Sequence, residues 1–417
     1  MLKKTLDHIK RSPFLQDNLI LFLGLFIAGI GGFIYHFVMG RLLGPADYGA
    51  LGALLSIAYI FLIILNTTQM GIARITAQLV VEKADKKISF AFKKLLKELS
   101  IIGFVFLLFY LLISPFISRY LHVTLFSTRV MSVALFFILL LSLPRGIMQG
   151  LQRFSLLSVN NATESFIKLA FGILFVLLGY GVAGAIGAIV FGYALAFLIG
   201  IYHFRSFFRT QEQSYPFTRQ LYDYTFYLGL VLTSLTLYYT VDVLIVKHFF
   251  DEVQAGYYAA LTILGKVLFF GSSSIGQVMF PKVISLHAQG KPHKHLFYKS
   301  CLLALLFLFP VLFIYFTFPT FIVNILFGAQ FLEIAPLLGL FGLYMITFCF
   351  IYLFSYYFVS LGNSWPFLGL LFFFNFLEIY LLYEFHDSLS QVITLLISLS
   401  LIFLVILYGK FLRTKDA

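Results

Sequence analysis

Charge is scarce in this chain. Only 11% of its 417 residues are Asp, Glu, Lys or Arg, against roughly 25% in an average soluble domain. A surface so poor in charge cannot face water, which excludes a soluble globular protein, and an apolar content of 61% excludes disorder as well. Cysteine is nearly missing. Cys301 and Cys349 both lie in apolar runs, so they build neither a disulfide framework nor a zinc-ligand spacing. There is no Gly-x-x-x-x-Gly-Lys-Ser/Thr phosphate loop, and no loop is large enough to fold an ATPase, so direct ATP drive is not expected. His293 and His295 stand in a basic loop without further ligands. No metal site and no cofactor are expected.

Long apolar segments with few polar breaks fill the chain instead. Barrel strands would alternate over about ten residues, so the expected fold class is all-α, a polytopic membrane protein of about twelve transmembrane helices. The spans are placed at 19–40, 48–69, 99–118, 130–150, 157–178, 182–202, 225–247, 256–280, 299–319, 334–357, 366–384 and 390–409. The first run is too long for a cleaved leader and is expected to be a retained helix.

The net charge of +12 is a topology signal. Lys3, Lys4, Lys10, Arg11, the lysines from Lys83 to Lys97, Arg153, Arg205, Arg209, Arg219, Lys282, Lys291, Lys294, Lys299, Lys410, Arg413 and Lys415 all fall on one side of that arrangement. Only Arg41, Arg119, Arg129 and Lys247 fall on the other. Both termini are therefore expected in the cytoplasm, and nucleic acid is not an expected partner. The basic loop 203–224 divides an N-terminal six-helix lobe, 1–202, from a C-terminal one, 225–417. A faint repeat supports the division: Gly49-Ala-Leu-Gly-Ala-Leu54 lies over Gly256-Tyr-Tyr-Ala-Ala-Leu261 at an offset of 207. Small residues recur every four positions at Gly184, Ala188, Gly192, Ala196 and Gly200, and at Gly24, Ala28 and Gly32. That spacing lets helices approach closely in lipid.

A charge at the centre of a membrane helix costs at least about 2.5–3.5 kcal/mol, so the few present need a reason. Lys266 sits near the middle of the eighth span, with Ser273 and Gln277 on the same helical face, a pattern that reads as the wall of a wet cavity. Arg74 ends the second span, with Thr67, Asn66 and Gln69 near its face; a snorkelling anchor is the alternative. Arg145 follows Pro144 late in the fourth span, where it suits a phosphate or serves as an anchor. Glu164 and Lys168 stand four apart, with Glu first, the favourable order for a helix pair. Arg41 and Lys247 take equivalent places at the outer ends of the first and seventh spans. Arg74, Arg145, Lys168, Lys266, Arg41, Ser273 and Gln277 are thus the candidate substrate-binding residues. Asp242, Glu164 and Glu378 are the candidate sites for a coupling H⁺ or Na⁺. Among the 25 Tyr, those at span ends fit the interfacial belt, while any in a cavity could stack on sugar rings.

Gly40-Arg-Leu-Leu-Gly-Pro-Ala-Asp-Tyr-Gly49 resembles the opening signature of polysaccharide flippases of the multidrug/oligosaccharidyl-lipid/polysaccharide exporter superfamily. Pro144-Arg-Gly-Ile-Met-Gln-Gly-Leu-Gln-Arg-Phe154 resembles their fourth-span element. Asp242 followed by Ala255-Gly-Tyr-Tyr-Ala259, and Ile325-Leu-Phe-Gly-Ala-Gln330, are similar to their second-half patterns. The resemblance implies two six-helix lobes around a central, often cationic cavity. It implies translocation of an undecaprenyl-diphosphate-linked oligosaccharide across the cytoplasmic membrane, with membrane lipids and glycan-assembly proteins as partners. The alternatives are a drug/cation antiporter of the same superfamily, with Asp242 as ion site, and an integral membrane glycan polymerase or glycosyltransferase. The short outer loops, whose only adjacent acidic pair is Asp251-Glu252, argue against the enzyme.

Overall fold

The computed structural model describes residues 13–209, 219–362, 365–414 and 416. Lys3, Lys4, Lys10, Arg11, Lys415 and the middle of the basic loop, 210–218, lie outside them. The described residues are almost entirely helical, with no strand among them.

Helix α1 (Pro13–Val81) has 69 residues, where about 20 suffice to cross a bilayer. It is two passes joined by a sharp reversal. Gly44 takes φ 75°, ψ 174°, a conformation glycine reaches without a Cβ clash. Pro45 then opens the second pass, where its missing N–H costs nothing. The reversal brings His36 Nε2 to 3.1 Å from the Tyr59 hydroxyl, although the two are 23 residues apart and would stand about 34 Å apart on a straight helix.

Helices α2 (Asp85–Tyr120), α3 (Leu125–Gly150), α4 (Phe154–Phe175) and α5 (Gly181–His203) follow. A short turn with Gly179 at φ 88° and Gly181 at φ 49° joins the last two. After the short α6 (Ser206–Arg209) come α7 (Arg219–Tyr238), α8 (Val241–Phe249), α9 (Glu252–Ala288), α10 (Lys294–Thr317) and α11 (Pro319–Leu326), then α12 (Ala335–Ser360), α13 (Trp365–Glu384) and α14 (Leu389–Arg413). Among the described residues, ten helical stretches are long and apolar enough to cross a membrane. Two of them, Phe26–Val81 and Phe154–His203, run to 56 and 50 residues and hold two passes each, which gives twelve. The seventh span departs from expectation. It breaks between Tyr238 and Val241, so Asp242 falls in the first turn of a new helix.

The chain forms two compact units. Unit 1 comprises the residues up to Leu43 together with Ile57–Thr225; unit 2 comprises Gly44–Ser56 and Phe226–Ala417. In unit 1 the small-residue stripe of α5 serves close packing. A Cβ at Gly200 would lie 2.6 Å from Pro144 Cβ of α3, and one at Gly192 would lie 3.1 Å from the Glu164 carbonyl of α4. On the first pass the fit is shifted by one residue. Gly24 packs on Ser158 and Gly31 on Ser165, whereas Gly32 faces open space. The start of the basic loop is packed as well: Ser89 Oγ donates to Phe207 O at 2.6 Å, and Phe92 lies against Phe204, Phe207 and Phe208.

In unit 2 the segment Gly44–Ser56 docks on α9. Tyr48 is buried edge-on against Phe327 and Phe331. A Cβ at Gly49 would meet Gly256 N at 2.7 Å, one at Gly52 would meet Ala259 Cβ at 2.7 Å, and one at Gly256 would collide with the Pro45 carbonyl. Positions 49 and 256, and 52 and 259, are the equivalents at the 207-residue offset. Gly256→Val should therefore force Gly44–Ser56 off α9 at a cost of about 1–3 kcal/mol. A lower thermal midpoint in detergent checks this, and an unchanged midpoint would show that the contact is slack. Asp251 has a structural role: its carboxylate accepts the N–H groups of Val253 and Gln254, both at 2.9 Å, and caps α9.

Candidate functional site

In unit 1 the embedded polar groups gather where α3, α4 and α5 meet. Arg145 is 6% exposed. Its Nε donates to Asn160 Oδ1 at 2.9 Å, and one terminal nitrogen donates to Glu164 Oε2 at 2.6 Å. Asn160 in turn donates to the Ala196 carbonyl at 2.8 Å. Glu164 therefore finds its ion-pair partner across helices in Arg145. The i,i+4 pairing with Lys168 suggested by the sequence gives way, because the Glu164 carboxylate lies against α3. Lys168 is half-buried, and its ammonium sits 5.2 Å from the centre of the Tyr35 ring. That ring is fixed by its hydroxyl, which donates to Ala185 O at 2.9 Å. A cation over an aromatic face is an electrostatic attraction that strengthens away from water.

Arg74 is exposed on a helix that continues to Val81, so it does not end the helix. Arg41 is exposed three residues before Gly44. Gln69 reaches α3, donating to Gln149 Oε1 at 2.9 Å. Thr67 turns back to bond the Ile63 carbonyl of its own helix.

Unit 2 holds an acidic cluster and a polar face on α9, whose Lys266 lies within electrostatic range of Asp242. Asp242 has no exposed surface. Its Oδ2 accepts the Tyr258 hydroxyl at 2.6 Å and its Oδ1 accepts the Val243 N–H at 2.8 Å. The break in the seventh span thus supplies a helix N-terminus, with its partial positive charge, to a carboxylate deep in the chain. Glu378 of α13 is also fully buried and within electrostatic range of Asp242. Both its carboxyl oxygens lack a hydrogen-bond partner among the described residues, as does Asn375 Oδ1 one turn away. Asn375 Nδ2 is engaged, donating to Ser234 Oγ at 2.6 Å and to Leu371 O at 2.9 Å. The cluster is a set of oxygen acceptors with too few donors, which suits a small hard cation or a proton. Among the described residues no group of three His, Cys, Asp or Glu has metal-site geometry.

The polar face runs along α9. Lys266, near the middle of this 37-residue helix, is 3% exposed, with its ammonium 5.6 Å from the centre of the Tyr239 ring. Ser273 is buried and donates to the Phe270 carbonyl of its own helix at 3.1 Å. Gln277 is exposed and its side chain addresses Tyr352 of α12. Lys266, Ser273 and Gln277 thus share a helix face with two tyrosines beside it. Lys247 is buried at the far end of α8, near Glu252, Asp47 and Asp251.

Sequence reasoning did not single out Asn160, Tyr258, Ser234 or Asn375, the groups that hold or accompany the embedded charges. Asn375 was the most findable, three residues before Glu378 and so on its helix face.

Residues 14–287 match the polysaccharide biosynthesis protein family, and the chain belongs to that family. Its fold is that of the multidrug/oligosaccharidyl-lipid/polysaccharide superfamily of membrane transporters. An inward-facing multidrug transporter of the MATE family superposes with a TM-score of 0.74 at 12% identity, covering 90% of this chain and 94% of its own. The lipid II flippase MurJ, in an inward closed conformation, superposes at 0.71 with 14% identity, covering 95% of this chain and 88% of its own. A superfamily transporter from Pyrococcus furiosus, described as having a binding pocket of reversed polarity, superposes at 0.60 with 13% identity, covering 94% of each chain. Comparison with curated proteins returns no match. The protein is therefore a multi-pass membrane protein of the polysaccharide biosynthesis family, with the fold shared by MATE transporters and the MurJ flippase.

Proposed function

We propose that this transporter moves an undecaprenyl-diphosphate-linked oligosaccharide across the cytoplasmic membrane, with both termini in the cytoplasm and alternating access as the mechanism. The observation that carries the reading is Lys266: a lysine held near the middle of a membrane helix, on the same face as Ser273 and Gln277. A diphosphate and a glycan cannot cross hydrocarbon unaided, and a cation pairs with phosphate more strongly away from bulk water. Unit 1 has candidate cations of its own, the half-buried Lys168 and the exposed Arg74. The prenyl tail stays in lipid throughout. Asp242 and Glu378 form the site for a coupling H⁺ or Na⁺. The membrane lipids and the proteins that assemble the glycan are the other partners.

A cation antiporter is the competing reading, and the charge pattern weighs against it. Of the embedded acids, Glu164 is paired with Arg145, and Asp242 and Glu378 are fully buried in unit 2, with Lys266 of α9 within electrostatic range of Asp242.

Glycan export in cells tests the proposal. Lys266→Ala and Arg74→Ala should each reduce export on the order of tenfold, the loss of a charge-assisted contact, with protein level and insertion intact. Full export by both single variants and by the double variant would remove the cationic binding of the diphosphate.

A further inference from the structure

The outward face of α2 changes character once along its length. Ile101, Val105, Phe109, Leu112 and Phe116 are all exposed and recur at helical spacing on one side, and residues 99–118 carry no charge. An apolar stripe exposed over four turns of a membrane helix faces lipid. Lys97 closes the stripe at one end, one turn before Ile101, and Arg119 closes it at the other; both are exposed. Their separation is about 33 Å along the axis, close to the hydrocarbon thickness of about 30 Å. The helix thus marks both membrane interfaces by itself.

Beyond Lys97 the helix runs on for three more turns, and the same face turns basic. Lys86, Lys93 and Lys97 stand in line with Ile101. Lys86 and Lys97 are exposed and Lys93 is half-buried. Lys94 lies beside them, its ammonium 5.8 Å from the centre of the Phe90 ring. The opposite face is packed: Ile88, Ala91, Phe92 and Leu99 are buried in the core of unit 1. The segment is therefore held with its lysines outward. Between Glu82 and Glu98 six lysines meet three acids. Glu82 lies 3.1 Å from Lys87 and Glu98 lies 3.9 Å from Lys94, and a surplus of positive charge is left. Setting topology needs such charge in the loop, but not its alignment with the lipid-facing stripe. Here the basic ridge continues that stripe, so its ammonium groups meet the phosphates of the lipids that cover it.

We propose that Lys93 and Lys97, with Lys94 beside them, dock the headgroups of anionic phospholipids at this edge of unit 1. Lys86, about 10 Å further from the bilayer, lends a longer-range attraction. Each lysine close to an anionic surface adds to the pull, which fades within a Debye length. The ridge draws anionic lipids to α2 out of a mixed bilayer. Only the passage of α2 through the membrane is required, so the ridge stands or falls independently of the cargo.

The test uses the full-length protein in nanodiscs of phosphatidylcholine with a minor share of phosphatidylglycerol. Analogues of the two lipids with a photo-crosslinker in the headgroup are added in turn, and labelled peptides are read by mass spectrometry. The stretch 86–101 should be labelled at least about fivefold more by the phosphatidylglycerol analogue than by the phosphatidylcholine one. That preference should shrink as salt is raised. Lys93→Gln combined with Lys97→Gln should bring the ratio close to one, and arginine at both positions should keep it. Both double variants should keep the wild-type thermal midpoint, since neither side chain belongs to the buried core. Equal labelling by the two lipids in wild-type protein, or a preference that survives the double glutamine variant, overturns the ridge. Absence of labelling at 86–101 by either lipid overturns it too, and would turn the lysines toward water or another protein.

Discussion

Glu378→Gln should stop gradient-driven export and leave the protein folded and inserted. Glu378 is fully buried, both its carboxyl oxygens lack a partner among the described residues, and Asp242 lies within electrostatic range. Two carboxylates cannot both carry charge in such a place without a counter-ion, because desolvation and mutual repulsion both favour neutralising one of them. Lys266 lies within electrostatic range of Asp242, which leaves Glu378 to a proton or a small cation on the proposed reading, and exchanging that partner across the membrane would drive the cycle. Glutamine keeps the shape and removes the exchangeable charge. Proteoliposomes loaded with lipid-linked glycan and given either a Na⁺ or a proton gradient should show at least about a tenfold loss of rate, and the gradient that drives the wild-type protein identifies the ion. Wild-type rates from Glu378→Gln under both gradients would show that the acid has no part in coupling. Asp242→Asn should be harsher on folding, since Asp242 also accepts the Tyr258 hydroxyl and the N–H that opens α8.

The second large effect is expected at Arg145. Removing one partner of a buried ion pair strands the other, at a cost of about 3–5 kcal/mol. Arg145→Ala leaves Glu164 without its guanidinium partner and Asn160 without a donor. Little folded protein should be recovered, and its thermal midpoint should drop sharply. Arg145→Met combined with Glu164→Leu removes both charges together and should restore much of the midpoint, since apolar replacements of a buried pair are often neutral. Export by that double variant then separates two roles. Export near wild type makes Arg145 a brace between α3 and α4, and export lost in a well-folded double variant makes it a substrate contact.

Most of the architecture was readable without coordinates, because lipid imposes one secondary structure and a narrow range of lengths. The placed spans fall on described helix except where the seventh is interrupted at Tyr239-Thr240 and the ninth at Phe318. The break at Tyr239-Thr240 was not readable: Tyr238, Tyr239, Thr240 and Asp242 lower the hydropathy there, but no glycine or proline demands a stop. The site was legible in part. Depth marked Arg145, Lys168, Lys266, Asp242 and Glu378 as unusual, but partners are set by which helices touch. Glu164 shows the limit plainly: local spacing favoured Lys168, and the packing of α3 against α4 supplied Arg145 instead. The same limit hid Tyr352 beside Gln277, since proximity between α9 and α12 leaves no trace in the spacing of either segment.

The near-contact of Gly49 with Gly256, and of Gly52 with Ala259, also bears on how such a chain diverges. Two stretches of chain so far apart ordinarily accept substitutions independently. Here each copy is the other's steric boundary, so a bulkier residue in one demands a smaller one, or an altered backbone, in its counterpart. Substitution at these sites is thereby tied across 207 positions of chain.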